Sequence, residues 1–324
     1  MSGPRTEILE WAEQGRLAPD ALPAALRVAA VTPAPDDWKK FLDQLTLWLG
    51  TVFCAAAVIF FFAYNWNEMG RFAKFGLVEG LIAAGLLLCW RLGLERMAGK
   101  AALLLATLLT GALLALAGQI YQTGADTHEL FAAWAVLVFA WVAISRFDAM
   151  WLVWVGLLNL AGIFYFQTFG GVFGWFFDIE GKLWTLFVLN TTALCLWEGA
   201  AQAGVAWLRA RWAVRIVATA SGSLITVLMV WAILDFHRAS HGLAMLVYAA
   251  WMAAAYFYYR HRLPDVFVLA GGVLSVIVVT AAFLSKHLLE HANAAGLLFI
   301  GMVIIGLSAA GGFWLKSVST GEQA

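Results

Sequence analysis

The chain of 324 residues is 63% hydrophobic and only 12% charged, with a mean hydropathy of +0.83. Soluble domains carry roughly 25% charged residues, so so much apolar surface excludes an ordinary soluble domain and points to lipid. Its 20 basic and 20 acidic residues cancel, which removes any bulk electrostatic case for nucleic acid.

Residues 1–41 read as a small unit of their own. A short helix over Glu7–Gln14 stops at Gly15, a helix-terminating cap. A second helix carries Leu22, Leu26 and Ala29 at i, i+4, i+7, starts at Pro19-Asp20 and closes at Pro33 and Pro35. So small a helical hairpin cannot bury a core of its own. It is therefore expected to lie in the cytoplasm and dock on the membrane surface or on a membrane-protein partner. No cleavable leader is visible, because the first apolar run begins near Leu42 and is long enough to span. The first spanning helix is expected to act as a signal anchor.

The remainder divides into apolar runs at 42–64, 72–90, 100–120, 128–145, 147–167, 183–201, 213–234, 241–260, 264–284 and 292–315. Each suffices for a hydrocarbon core about 30 Å thick. The expected fold is all-α: a polytopic integral membrane helix bundle of about ten transmembrane helices over residues 42–316, with a short cytoplasmic tail over 317–324. With the N-terminus inside, fifteen of the twenty Lys and Arg fall on the inner side. By the positive-inside rule both termini are then cytoplasmic, in the bacterial inner membrane. Ten helices permit two inverted sets of five, but residues 42–167 and 183–315 share no matching signature. Seventeen Trp and 23 Phe suit two membrane interfaces. Cys54, Cys89 and Cys195 sit singly in apolar runs, without the spacing of a disulfide framework or thiolate metal site.

After the third spanning helix the sequence reads Gly118-Gln119-Ile120-Tyr121-Gln122-Thr123-Gly124-Ala125-Asp126, followed by Glu129-Leu130-Phe131 and Trp134. Gly118 and Gly124 allow the backbone to leave the helix abruptly, and Gln119 and Gln122 are placed to satisfy freed carbonyls. Asp126 and Glu129 have the spacing of a capping box that opens the next helix. A well-capped hairpin is the plain reading of this turn, and a periplasmic binding loop the sharper one. Together with Phe62-Ala63-Tyr64-Asn65-Trp66 and the N-terminal Glu-Gln-Gly-Arg-Leu segment, this stretch resembles a bacterial family of predicted membrane proteins, domain of unknown function twenty-one fifty-seven. The resemblance covers most of the chain through about residue 165. It implies a membrane-embedded fold and carries over no catalytic residue.

Glu79 is the one carboxylate well inside a span, roughly 12 Å inward from Arg71 at about 1.5 Å per residue. Such a group is by default a functional-site hypothesis. Gly76 and Gly80 flank it and predict a close helix neighbour on that side. Asn159, Asn190, Ser221 and Ser223 are the mid-membrane polar partners on offer. A hydrogen-bonded structural Glu79 competes here with a proton- or cation-coupling carboxylate.

Five of six histidines fall on the expected outer side. His237 with His241 and His287 with His291 are each i, i+4 pairs, accompanied by Asp235 and Glu290, and a structural or sensory metal site is one reading. Histidines tolerated at a wet interface are the other, and no cofactor is expected. The run His287–His291 matches the H-x-x-E-H string of inverted zinc peptidases, but only 33 residues follow it. That is too few to supply the further ligand and soluble domain such enzymes need. Phe169–Asp178, aromatic and Gly-rich, is expected to lie in the interface or to cover an outward cavity.

No nucleophile, base or metal cluster assembles, so the chain is expected not to be an enzyme. An accessory or structural membrane protein and a secondary transporter or small-solute permease, with Glu79 as its coupling carboxylate, are the two competing readings.

Overall fold

A computed structural model describes residues 4–29, 31–32, 35–64, 69–169, 179–234, 241–288 and 294–321. Every element among the described residues is helical. The chain forms two compact units, residues 1–123 with the last five residues, and residues 124–319.

The first unit opens with the hairpin of α1 (Pro4–Glu13) and α2 (Leu22–Val28). Gly15 turns it at φ +68°, and the amides of Arg16 and Leu17 fold back onto the Trp11 carbonyl. Three long helices follow: α3 (Pro35–Tyr64), α4 (Arg71–Leu92) and α5 (Met97–Tyr121). The boundary expected at residues 41–42 falls inside α3. At 30 residues α3 is about 45 Å long, more than a bilayer core requires, and its extra length is the polar start from Asp36 to Lys40.

Within this unit α5 is the hub. Over its most apolar window 56% is enclosed, against 17% for α3 and 22% for α4. The reason lies in its side chains: Ala101, Ala106, Gly111 and their neighbours are small enough for α3 and α4 to close on them. Its buried hydroxyls disturb nothing, since Thr107 and Thr110 donate to the carbonyls four residues back, both at 2.9 Å. Phe62, Val78 and Leu116 fill the centre of this unit.

Close contact between α4 and α5 occurs at Gly85, not at Gly76 or Gly80. A Cβ on Gly85 would lie 3.2 Å from the Ala102 carbonyl oxygen. At Gly99 the start of α5 passes so near the Gly93 carbonyl that any side chain would collide. The exit from α5 also differs from the expected one. Gln122 itself adopts the left-handed conformation (φ 44°), and the amides of Gln122 and Thr123 bond the Gly118 carbonyl. Gly124 supplies the second left-handed residue (φ +68°), whereas Gly118 stays helical. Gln119 and Gln122 remain exposed, and Tyr121 stacks on Phe75 at 5.8 Å.

The second unit holds α6 (Thr127–Ser145), α7 (Asp148–Phe169), α8 (Ile179–Gln202), α9 (Arg211–Leu234), α10 (His241–Phe257), α11 (Val266–Leu288) and all but the last two residues of α12 (Ala294–Gly321). The capping box forms, with the Asp126 amide donating to Glu129 Oε2 at 3.2 Å. A two-residue turn at Arg146 (φ 45°) joins α6 to α7 as an antiparallel pair, and Trp154 Nε1 donates across it to the Ala135 carbonyl at 3.0 Å. The hub here is α9, with 44% of its span enclosed. It packs on α7, α8, α10 and α11 around Val214, Val217, Ala218, Ile225 and Leu228.

Among the described residues nine helices are long and apolar enough to cross a membrane. The run expected at 183–201 forms α8, whose 24 residues would span about 36 Å, but its composition leaves it outside those nine. Asn190 and Glu198 lower its hydropathy, and both are buried against neighbouring helices.

Candidate functional site

Two polar assemblies lie inside the second unit, one across mid-span and one at its end. Asn159 of α7 and Asn190 of α8 form a reciprocal amide pair, 2.6 Å from Asn190 Nδ2 to Asn159 Oδ1 and 3.3 Å in the other direction. Each amide also donates to a carbonyl of its own helix, Val155 and Leu186, at 2.8 Å. Thr191, one position on, meets Ser221 Oγ of α9 at 2.7 Å, and Trp251 Nε1 of α10 donates to the same oxygen at 3.1 Å. A third group joins Thr226 of α9, Ser275 of α11 (2.6 Å) and Tyr248 of α10 (3.0 Å to Ser275). The sequence named Asn159, Asn190 and Ser221, and the structure ties them into a ladder running from α7 to α11. Ser223 lies apart, on the wall of a cavity of about 500 Å³ lined by α9, α10 and α11.

At the end of the same helices sits an ion-pair cluster that sequence reasoning missed. Arg211 Nη1 donates to Glu198 Oε1 at 2.8 Å, and Arg211 Nε to Asp265 Oδ2 at 3.1 Å. Arg215 Nε reaches both Asp265 oxygens, at 3.2 and 3.1 Å. Glu198 also accepts from Tyr259 at 3.0 Å and from Tyr258 at 3.3 Å, while the Gln202 amide donates to the Tyr258 hydroxyl. Asp265 caps α11 through the Phe267 amide at 3.1 Å. Both carboxylates are buried, at 5% and 3% exposure, and two guanidiniums balance their charge. Arg211 Nη2 is buried and has no hydrogen-bond partner among the described residues.

Local sequence explains this geometry. Arg211 and Arg215 are i, i+4 at the start of α9 and face one way. Asp265 follows Pro264 at a helix start, and a π turn over Tyr258–Arg262 brings two adjacent tyrosines to Glu198. The available signal was Glu198 at the end of an apolar run and Asp265 at the start of another. Chemically the cluster ties α8, α9, α11 and the π turn together.

Glu79 stands elsewhere. It is exposed on α4 together with Gly76 and Gly80, and a Cβ at either glycine would meet nothing within 4 Å. Among the described residues it has no hydrogen-bond partner. The expected burial of Glu79 against a neighbouring helix at Gly76 and Gly80 is therefore corrected, because α5 packs on the opposite, Gly85-bearing face. Its expected partners Asn159, Asn190 and Ser221 bond within the second unit instead.

Of the outer histidines, His237 and His291 lie outside the described residues, as do Asp235, Glu290 and residues 170–178; His241 is described only as the first residue of α10. His287 is exposed and packs edge-on to Phe283 at 4.5 Å. No group of three or more metal-ligating side chains occurs among the described residues.

Long apolar helices, polar groups bonded helix to helix and ion pairs at a helix end together define a multi-pass α-helical membrane protein. Residues 9–151 match the family model described as "Predicted membrane protein (DUF2157)", the family that the turn after α5 resembles. No curated protein and no solved structure matches the chain.

Proposed function

We propose that the protein is an accessory component of the bacterial inner membrane whose first unit docks a membrane-protein partner through the exposed face of α4. Glu79 carries this reading. A carboxyl at that depth costs a few kcal/mol on insertion scales unless it finds a partner, and it stands on an open face. Ala73, Gly76, Gly80 and Ala83 lie on the same exposed side of α4 and give a flat strip on which a second helix can approach closely. A donor or acceptor on that helix then satisfies Glu79. The α1–α2 hairpin, with Trp11 46% exposed, offers a further contact surface.

The permease alternative draws nothing from this arrangement. A coupling carboxylate belongs beside mid-span polar groups, and here those groups bond one another in the second unit. No catalytic step enters the reading. With α8 taken as a tenth crossing beside the nine long apolar helices, both termini lie on one side of the membrane, and the excess of Lys and Arg on that side favours the cytoplasm. Reporter fusions after Lys316 and Arg96 should read cytoplasmic and one near Gly124 periplasmic; a periplasmic C-terminus would overturn that topology.

Docking itself is tested by native gel electrophoresis of gently solubilised membranes. The wild type should migrate in an assembly larger than the 35.3 kDa chain, and Glu79→Leu should release it while Glu79→Gln, still able to hydrogen-bond, should retain it. A Glu79-dependent proton flux in liposomes holding the pure protein would reject the accessory reading in favour of the permease.

A further inference from the structure

The side of the second unit formed by α10, α11 and α12 carries an apolar groove of about 380 Å³. Trp251, Ala255 and Tyr256 of α10, Gly272 of α11, and Ala310 and Trp314 of α12 wall it. Gly311 of α12 comes so close to Val273 of α11 that any side chain there would collide. Away from that point the helices are open, and only 11% of the α10 and α12 spans is enclosed.

Three features of the groove point to one kind of occupant. Its first feature is length: from Val268 to Ile277 it runs about 13 Å along α11. That is close to the depth of one leaflet of a core about 30 Å thick, and a partner's spanning helix would need twice as much. The second is its mouth, where Tyr256 stacks on Trp314 at 6.1 Å and His261 packs edge-on to Tyr256 at 6.0 Å. Amphipathic rings of this kind sit at headgroup level. The third is charge. Arg260 and Arg262 lie on the π turn that follows α10. Among the described residues of α10, α11, α12 and their connections the one acid is Asp265, and it is already held by Arg211 and Arg215. This end of the groove is therefore positive.

We propose that the groove is a binding site for one acyl chain of an anionic phospholipid, with its phosphate at the mouth beside Arg260 and Arg262. An apolar slot of leaflet depth ending in aromatic rings and cations matches the lipid along its whole length. The site is separate from the α4 face and stands whether or not that face docks a partner.

Native mass spectrometry of the full chain in mild detergent tests it, with dioleoyl phosphatidylglycerol and dioleoyl phosphatidylcholine as probes. One phosphatidylglycerol should survive activation that strips phosphatidylcholine. Ala310→Phe, at an exposed position, should fill the groove and abolish retention of either lipid. Arg260→Gln with Arg262→Gln should keep a bound chain but lose the preference, by roughly fivefold for each cation removed. Circular dichroism melting curves establish that each variant is folded. Equal retention of the two lipids by the wild type, or unchanged retention by folded Ala310→Phe, overturns the proposal. So does a dimer peak that Ala310→Phe removes, which would give the groove to a second copy of the chain.

Discussion

The two units treat polar groups inside a span in opposite ways. In the second unit Asn159, Asn190, Ser221 and Ser275 each meet a side chain on another helix, and the buried carboxylates Glu198 and Asp265 are met by arginines. In the first unit Thr107 and Thr110 bond back to carbonyls of their own helix, and the one mid-span carboxylate, Glu79, faces outward. A bundle that bonds its polar groups internally is fixed by them. A bundle that presents one outward leaves that bond for something else to make. The same contrast appears among the glycines of α4: Gly85 is pressed against α5 and Gly80 against nothing.

The largest expected effect comes from breaking the ion-pair cluster. Asp265→Ala leaves Arg211 and Arg215 without their shared buried partner and should lower stability by about 3–5 kcal/mol, seen as a marked fall in thermal midpoint of the detergent-solubilised protein. A loss under about 1 kcal/mol would mean that the cluster is solvated and ties nothing together.

Next in size are the glycines. Gly85→Leu should wedge α4 from α5 and cost about 1–3 kcal/mol, whereas Gly80→Leu should stay within about 0.5 kcal/mol of wild type when the purified protein is melted. Equal destabilisation by the two would remove the distinction between the faces of α4. Smaller again is Asn190→Leu, which breaks the amide pair with Asn159. Side-chain hydrogen bonds between membrane helices average about 0.6 kcal/mol and reach about 1.7 kcal/mol, so a modest drop in unfolding free energy is expected. Asn159→Leu added to it should cost little more, since the two act as a pair.

Much of this architecture was legible in the sequence because helix periodicity and run length are local. The runs expected at 72–90, 128–145 and 213–234 appear as Arg71–Leu92, Thr127–Ser145 and Arg211–Leu234. The Asp126–Glu129 capping box was readable for the same reason, spacing alone being enough. Asn159, Asn190 and Ser221 could be named because a polar side chain in a span must find a partner. Which partner could not be read. The Glu198–Arg211–Asp265 network joins residues up to 67 positions apart, and Arg211 and Arg215 looked like any cations at a span end. Gly76 and Gly80 resembled a helix contact because sequence spacing marks a face as flat without saying what covers it. The exit from α5 differed in a similar way: Gly118 and Gly124 were expected to let the backbone leave the helix, yet Gly118 stays helical and Gln122 supplies the first left-handed residue.

The central claim is that the Glu79 face of α4 is covered by another protein in the native membrane. A nitroxide at position 80 reads this directly, in a protein whose three cysteines are first replaced, through its collision rate with oxygen dissolved in lipid. Measured in the cell's own membranes, the label should be shielded; after purification and reconstitution of the chain alone, it should become accessible. A label that is accessible in both preparations, or shielded in both, would contradict the account, since α4 would then face lipid throughout or be covered without any partner.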